Sequence, residues 1–558
     1  MLLEIEVCMK KKLEISNNIV CIISAILGAI IFLCLYGIRI LNPTYVEWLY
    51  NGRDLMQHYL GWEFFRKSDW MFPFGLTDRL GYPSRTSVIF TDSIPIFAVL
   101  FKLVAPILPE RFQYFGIWGL LCFILQGFFS AKILQVYLKK NWQIIAGSVI
   151  FILAPTMLFR MYMHTSLAAQ WIILAAIYLC AVHKDNYKNI KKTSLQWGIL
   201  GFLIPGIHMY FAPMCAVLLA GFVVYSFLCD KKIVVKSMLP VVTFLIGLGS
   251  NSFLLGGFSS SANAGSSNLG VHSFNLNSFF NAMGYSKVLD GLDTYTNGQY
   301  EGFSYLGLGV IILLLVASVY YIWKVITKQL AINIWKWAVT GGVLLCFTVL
   351  AASQYISFGT HLLIELPDID IIIRYWSTFG SSGRLIWPVY YIVMFFAVIG
   401  TLKMIEEISW LKIAGNIMFA ACVLIQIFDL SGKLEEIHMK YKETAIYEEV
   451  FDDDIWDKVA QKGYKHLVWV SHNTDGYQIL HMAKFAFDNH MTMNNYYFAR
   501  GIDFRENVQE EMNNLNTESV YVFRLDDPFD YEKYQNYEDE LYFYEANGYV
   551  IGSVEPIE

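Results

Sequence analysis

One early stretch brings together residue types that could do chemistry. In Gly52-Arg53-Asp54-Leu55-Met56-Gln57-His58-Tyr59-Leu60-Gly61-Trp62, Asp54, His58 and Trp62 recur at i, i+4 and i+8, so a helix places them on one face. Met56, Leu60 and Phe64 line another face, which can lie in a bilayer surface. The segment is therefore expected to be an interfacial amphipathic helix whose polar face meets whatever arrives there. A carboxylate one turn from an imidazole suits acid–base chemistry. The same pair could chelate a divalent metal, but no third ligand follows in register, and no cofactor is expected. Arg53 and Asp54 could also do no more than solvate a membrane-surface helix. A second carboxylate, Asp92, stands in Phe90-Thr91-Asp92-Ser93, and Asp69-Trp70 and Tyr82 add acidic and aromatic groups between the two.

The elements that must hold these residues are apolar. Of 558 residues only 16% are charged, and the mean hydropathy is +0.44; soluble domains carry roughly a quarter charged residues. Apolar runs fill residues 18–430, whereas 431–558 is polar and acidic and accounts for much of the net charge of −6. An acidic tail argues against nucleic acid as a partner. None of the nine cysteines lies in it, which excludes a disulfide framework there. Crossing a bilayer takes about 20 apolar residues, and about eleven segments qualify: 18–38, 113–137, 143–160, 167–183, 194–211, 213–229, 236–256, 305–325, 333–353, 385–404 and 410–429. The first lacks a small-residue cleavage site and so is expected to be an uncleaved anchor. Segment 93–108 is short, carries Lys102 and is cut by Pro95 and Pro106. If it does not cross, Lys10–Lys12, Lys139-Lys140, Lys184 to Lys192, Lys231-Lys232, Lys324 with Lys328, and Lys403 all fall on one side, the positive-inside pattern. The sequence thus predicts an α-helical polytopic membrane protein with a cytoplasmic N-terminus (1–17). Loops 41–112, 257–304 and 354–384 and a small α/β domain (431–558) lie outside. The spans are nearly free of charge, with Lys132, Lys336, Lys412 and Asp429 near ends where they can snorkel. Ion relays at the membrane midplane are missing from this pattern, which weighs against an ion-driven transporter.

An anchor helix followed directly by a long outer loop with an acidic residue and a membrane-hugging segment resembles the GT-C superfamily of membrane glycosyltransferases, and the layout also looks like its YfhO-like bacterial branch. The resemblance covers roughly residues 10–430 and lies in architecture plus a few positions. One departure is that Arg53-Asp54 is followed by Leu55, whereas some families place two adjacent acidic residues here. The resemblance implies a GT-C-like fold and a polyprenyl-phosphate-linked sugar donor. It also implies an extracytoplasmic glycan acceptor in a bacterial cell envelope, and an acidic catalytic residue soon after the first span. Transfer from a lipid phosphate needs a base for the acceptor hydroxyl proton. One carboxylate suffices for inversion because the phosphate is already a good leaving group. Asp54 is the expected base and Asp92 the second candidate, with His58 able to orient either or to contact phosphate.

A lipid-linked phosphate also needs cations at the outer ends of spans. Arg160 and His164 (Phe159-Arg160-Met161-Tyr162-Met163-His164), Arg374 and Arg384 qualify. Arg384 follows Ser381-Ser382-Gly383, expected to be flexible, and could instead be an interfacial anchor beside Trp387. His208 and Tyr210 sit at a hairpin tip broken by Pro205-Gly206 and Pro213, where a satisfied structural histidine is the more ordinary reading of His208. Glu301, in Gly298-Gln299-Tyr300-Glu301-Gly302, could bond a sugar or serve as a further carboxylate, and Trp62 could stack on one. The glycine- and serine-rich start of loop 257–304 suits a mobile flap or a linker. In the tail, His466–Ser471, Ser519–Arg524 and Leu541–Tyr544 are expected strands, Gln478–Asp488 a helix, and Asn547-Gly548 a turn. Two other classes fit the same architecture: a non-enzymatic translocase or assembly factor for lipid-linked glycans, and a glycan polymerase.

Overall fold

The computed structural model of this chain describes residues 2–183, 189–229, 234–259, 270–330, 333–367, 369–471, 473, 476–499, 502, 504–527, 530 and 535–557. The first helix, α1 (Leu2–Tyr36), leads into a loop carrying α2 (Arg53–Lys67), the paired short strands β1 (Leu76–Thr77) and β2 (Thr86–Ser87), and α3 (Pro95–Lys102). The bundle continues with α4 (Phe115–Tyr137), α5 (Asn141–Ile152), α6 (Pro155–Arg160), α7 (Trp171–His183), α8 (Ile190–Leu203), α9 (Phe211–Cys229), α10 (Val234–Leu254), α11 (Leu308–Ile326) and α12 (Ile334–Ala352). After the antiparallel hairpin of β3 (Tyr355–Phe358) and β4 (His361–Glu365) come α13 (Asp370–Thr378), α14 (Trp387–Glu407) and α15 (Lys412–Lys442). Nine helices among the described residues are long and apolar enough to cross a membrane. The predicted spans 194–211 and 236–256 form α8 and α10, which pack along each other. α8 has only 14 residues because it stops before Pro205-Gly206, and the apolar stretch of α10 is Met238–Leu254.

The helix in segment 93–108 is too short to cross a bilayer. This helix, α3, spans 8 residues from Pro95, a short 3-10 turn follows at Ala105–Ile107, and Lys102 is buried. Lys102 Nζ donates to Ser68 Oγ (3.1 Å) and to the Asp69 carbonyl (3.2 Å), tying the segment to the first loop.

Two expectations need correction. Helix α2 does not lie on a bilayer surface. Every residue from Leu55 to Arg66 is buried, because a second layer of protein covers the face meant for lipid: α17 (Tyr477–Asp488) of the tail packs on it, and Phe64 stacks edge-on against Phe487 and Tyr496. Asp429 does not snorkel. It is fully buried and accepts from Tyr305 Oη (2.8 Å), from the Leu308 N–H that opens α11 (2.9 Å) and from Ser286 Oγ. The last helix of the bundle, α15, continues past the predicted span 410–429 to Lys442.

The tail carries α16 (Asp454–Lys462), β5 (His466–Trp469), α17, β6 (Thr492–Met493), α18 (Arg505–Asn513), β7 (Ser519–Arg524), β8 (Tyr542–Ala546) and β9 (Tyr549–Ser553). The sheet order is β6-β5-β7-β9-β8, with β5 parallel to β6 and β7, and β9 antiparallel to β7 and β8. Asn547 and Gly548 both have positive φ (49° and 83°), the backbone a tight β8–β9 hairpin requires. The first loop closes the β6 edge. Gly81 N donates to Met493 O (2.8 Å), Met493 N donates to Arg79 O (3.0 Å), and Tyr82 stacks on His466 at 3.8 Å.

Candidate functional site

The loops at one end of the bundle converge on a buried cluster of charge. Arg160, the last residue of α6, donates from Nη2 to Glu301 Oε2 (2.6 Å) and to the Glu301 carbonyl (3.0 Å). Arg384, in the 3-10 turn Ser382–Ile386, makes a two-pronged contact with the same carboxylate, Nε to Oε2 at 2.8 Å and Nη2 to Oε1 at 2.9 Å. The three side chains are only 1% (Arg160), 4% (Glu301) and 8% (Arg384) exposed, so solvent screens them little. Two guanidinium groups share one carboxylate, and the triad keeps a formal charge of +1. Arg160 also lies over the Trp387 ring at 5.5 Å and Arg384 over Tyr210 at 4.9 Å.

Two turns must touch to build this triad. Glu301 sits in the 3-10 turn Asn297–Gly302, opened by a capping box between Thr296 and Gln299. A Cβ on Gly383 would lie 2.7 Å from Gly302 N and 2.8 Å from its Cα, so no side chain fits where the turns cross. The Ser381-Ser382-Gly383 stretch is therefore close-packed rather than flexible: Gly383 N donates to His272 O (2.9 Å) and Ser381 N donates to Tyr210 Oη (2.9 Å).

His164 bridges the triad to Asp54. Its Nδ1 lies 3.1 Å from Arg160 Nη1 and its Nε2 3.4 Å from Arg384 Nη2; both guanidinium groups can only donate, so the neutral ring accepts from one of them. Nε2 is also 3.6 Å from Asp54 Oδ2. Burial, reinforced by Arg384 and Arg160, presses the imidazole well below its ordinary pKa and keeps it neutral. At 3.6 Å Asp54 is not hydrogen-bonded to His164, and Arg53 Nε is farther still at 3.9 Å. Burial pushes the Asp54 carboxyl above its ordinary value, with Arg53 and Arg384 pulling the other way. For Glu301 the balance is reversed. Burial alone would raise it, but Arg160 and Arg384 hold it well below the usual carboxylate range. Asp92 stands on the other flank, 3.6 Å from His208 Nε2, while His208 Nδ1 accepts from Tyr210 N (3.1 Å). Asp92 (φ 52°) and Ile94 (φ 54°) both adopt left-handed backbone here, costly for a β-branched isoleucine.

Asp54, Arg160, His164, Glu301 and Arg384 thus form one cluster, and Tyr210, His208 and Asp92 extend it. The other candidates fall elsewhere. His58 is buried near Phe115, and burial lowers its imidazole to about 3, so it stays neutral. Trp62 is a packing residue, fully buried, with Nε1 donating to Phe112 O (3.0 Å) and its ring edge-on to Tyr114. Both share a helical face with Asp54, but α2 enters the core within one turn, so the face changes from site to interior along its length. Arg374 is exposed on α13, apart from the cluster. Residues 260–269 of the glycine- and serine-rich loop lie outside the described residues. Sequence reasoning missed the Gly302–Gly383 crossing and the platform role of Trp387, although each adjoins a residue it singled out. No group of three or more His, Cys, Asp and Glu side chains among the described residues is placed to hold a metal.

The apolar helices, the charged site at their end and the sheet domain define a polytopic α-helical membrane protein with a small C-terminal α/β domain. The chain belongs to the family described as Domain of unknown function (DUF6311), which matches residues 25–431, and the DUF6311 C-terminal domain matches residues 455–554. No curated protein matches it. Among solved structures it is similar to the Archaeoglobus fulgidus oligosaccharyltransferase in the apo form, at 10% identity and a TM-score of 0.42, over 95% of this chain and 74% of that one. For the same enzyme tethered with an acceptor peptide containing the NVT sequon, the values are 10% and 0.43, over 96% and 74%.

Proposed function

We propose that this chain is a GT-C-type glycosyltransferase that moves a sugar from a polyprenyl-phosphate donor to an acceptor hydroxyl, with inversion at the anomeric carbon. The observation that supports this most directly is the pairing of Asp54, a carboxylate with no hydrogen-bond donor within bonding distance among the described residues, with the net-positive Arg160–Glu301–Arg384 triad one imidazole away. In the reaction the acceptor oxygen bonds to the anomeric carbon while the bond from that carbon to the phosphate oxygen breaks. Asp54 takes the hydroxyl proton, and the polyprenyl phosphate leaves with the electron pair. Arg160 and Arg384 offset the charge that grows on the leaving phosphate. Arg160 Nε, buried without an acceptor among the described residues, is a donor that an anion would satisfy. His164 keeps the arginines and Asp54 in register, and the Asp92–His208 pair is the second candidate base. No cofactor is needed.

In this reading the lysine-rich connections are cytoplasmic. The site and the C-terminal domain then face outward, toward a bacterial surface glycopolymer or glycolipid acceptor, with the spans solvated by membrane lipid. The test is transfer of labelled sugar from polyprenyl phosphate in vesicles containing the full chain. Asp54→Asn should lower transfer by about 10²–10⁴-fold, the worth of a general base, with donor binding and membrane insertion retained. Transfer at the wild-type rate would remove Asp54 from the mechanism. The lipid-linked sugar that accumulates when the protein is deleted would identify the donor.

A further inference from the structure

A second site lies at the opposite end of the bundle. The candidate active site gathers where α7, α9, α11 and α14 begin. A cavity of about 360 Å³ opens instead toward the far ends of α4, α7, α9 and α11, reaching Tyr137, Cys180, Tyr225 and Tyr321. Along α9 alone, Phe211 and Tyr225 are separated by about 21 Å at 1.5 Å per residue. The cavity is independent of the charged cluster.

Its chemistry is two-part. The walls are apolar, and Lys336 is the one charged lining residue among those described. Lys336 stands in the first turn of α12 beside Ile334, Trp335 and Trp337, which are 68%, 53% and 52% exposed. Exposed tryptophans flanking a lysine at a helix end mark the level of lipid head groups. Lys324 and Lys403 on other helices pair with Glu407 and Glu406, but Lys336 has no ion pair among the described residues. The gap exists because α12 is held mainly at its other end. Phe347, Ala351 and Ala352 are buried there, and Ser382 Oγ donates to Ala351 O (3.2 Å), whereas only 11% of the spanning stretch of α12 is buried. An apolar recess open to the side does not suit water, which needs two or more polar partners.

We propose that this cavity binds an anionic diacyl phospholipid, one chain lying against Phe222, Val339, Val343 and Phe395 and the phosphate resting on Lys336 Nζ. The site does not depend on the glycosyl-transfer reading. Its lipid would brace α12, whose other end packs on the turn that carries Arg384.

The test uses the full chain, delipidated in detergent and exposed to phosphatidylglycerol or phosphatidylcholine of identical chains, with bound lipid counted by native mass spectrometry. One phosphatidylglycerol should be retained in preference to phosphatidylcholine by about five-fold, the contribution of one lysine at an anionic lipid surface. Lys336→Glu, at an exposed position, should remove that preference and leave the size-exclusion profile unchanged. Val343→Trp should reduce retention of both lipids by occupying the recess. Thr340→Trp, on the exposed side of the same helix, repeats the test should Val343→Trp fail to fold. Equal retention of the two lipids, a preference that survives Lys336→Glu, or displacement of phosphatidylglycerol by equimolar polyprenyl phosphate would each overturn the assignment.

Discussion

Replacing Glu301 by glutamine probes the site without touching either proposed base. The carboxylate accepts three charge-assisted hydrogen bonds, at 2.6 Å from Arg160 and at 2.8 and 2.9 Å from Arg384. Glutamine keeps one carbonyl oxygen and turns an amide N–H toward an arginine that can only donate. Two buried guanidinium groups then lose their counter-charge. Orphaning one partner of a buried ion pair costs about 3–5 kcal/mol, and exposures of 1–8% leave little solvent screening to discount. Unfolding in mixed micelles, followed by tryptophan fluorescence at neutral pH, should show Glu301→Gln destabilised by about that amount. The double variant Glu301→Gln/Arg384→Gln should be less destabilised than the sum of the two singles, by about 0.5–3 kcal/mol, because it removes one stranded charge as well. The pH dependence has a definite sign. A carboxyl held below its unfolded value stabilises fully above that value and loses its contribution only as pH falls through the depressed folded one. The wild-type advantage should therefore be flat between about pH 8 and about pH 5. A loss below about 0.5 kcal/mol, or strict additivity in the double variant, would refute the triad as a coupled unit.

Asp54 must be ionised to accept a proton, and burial lifts its carboxyl above the ordinary 3.8. The acid limb of kcat/KM should fall above that value, and a pH–rate profile of labelled-sugar transfer with a limb below it would contradict the assignment. Gly383→Ala places a methyl against the Gly302 backbone, which should cost about 1–3 kcal/mol by overpacking and lower transfer by displacing Arg384. Wild-type melting and activity would show that the two turns separate easily. Asp429→Ala leaves the Tyr305 hydroxyl and the Leu308 N–H without their buried acceptor. At about 1–3 kcal/mol per orphaned group, thermal unfolding should reveal a clear loss, and a change within error would mean that water reaches this helix end.

The sequence by itself determined the membrane character, the positions of the apolar helices and the strands of the tail. It also pointed to the reactive residue types, because hydropathy, period and charge are properties of neighbours along the chain. The prolines around Lys102 and the lysine distribution together set 93–108 apart from the spans, and its helix has only 8 residues. Which of the candidates meet was decided by tertiary structure. Arg160 and Glu301 are 141 residues apart and Glu301 and Arg384 83 apart, distances over which no local pattern reports contact. Likewise, nothing in the i, i+4, i+8 spacing tells that α17 covers the other side of α2. That cover turns a supposed surface helix into a buried one and leaves Asp54 at the site while His58 and Trp62 sink into the core. The physical reason is that burial depends on what packs against a face, and the partner of α2 lies more than 400 residues further along the chain.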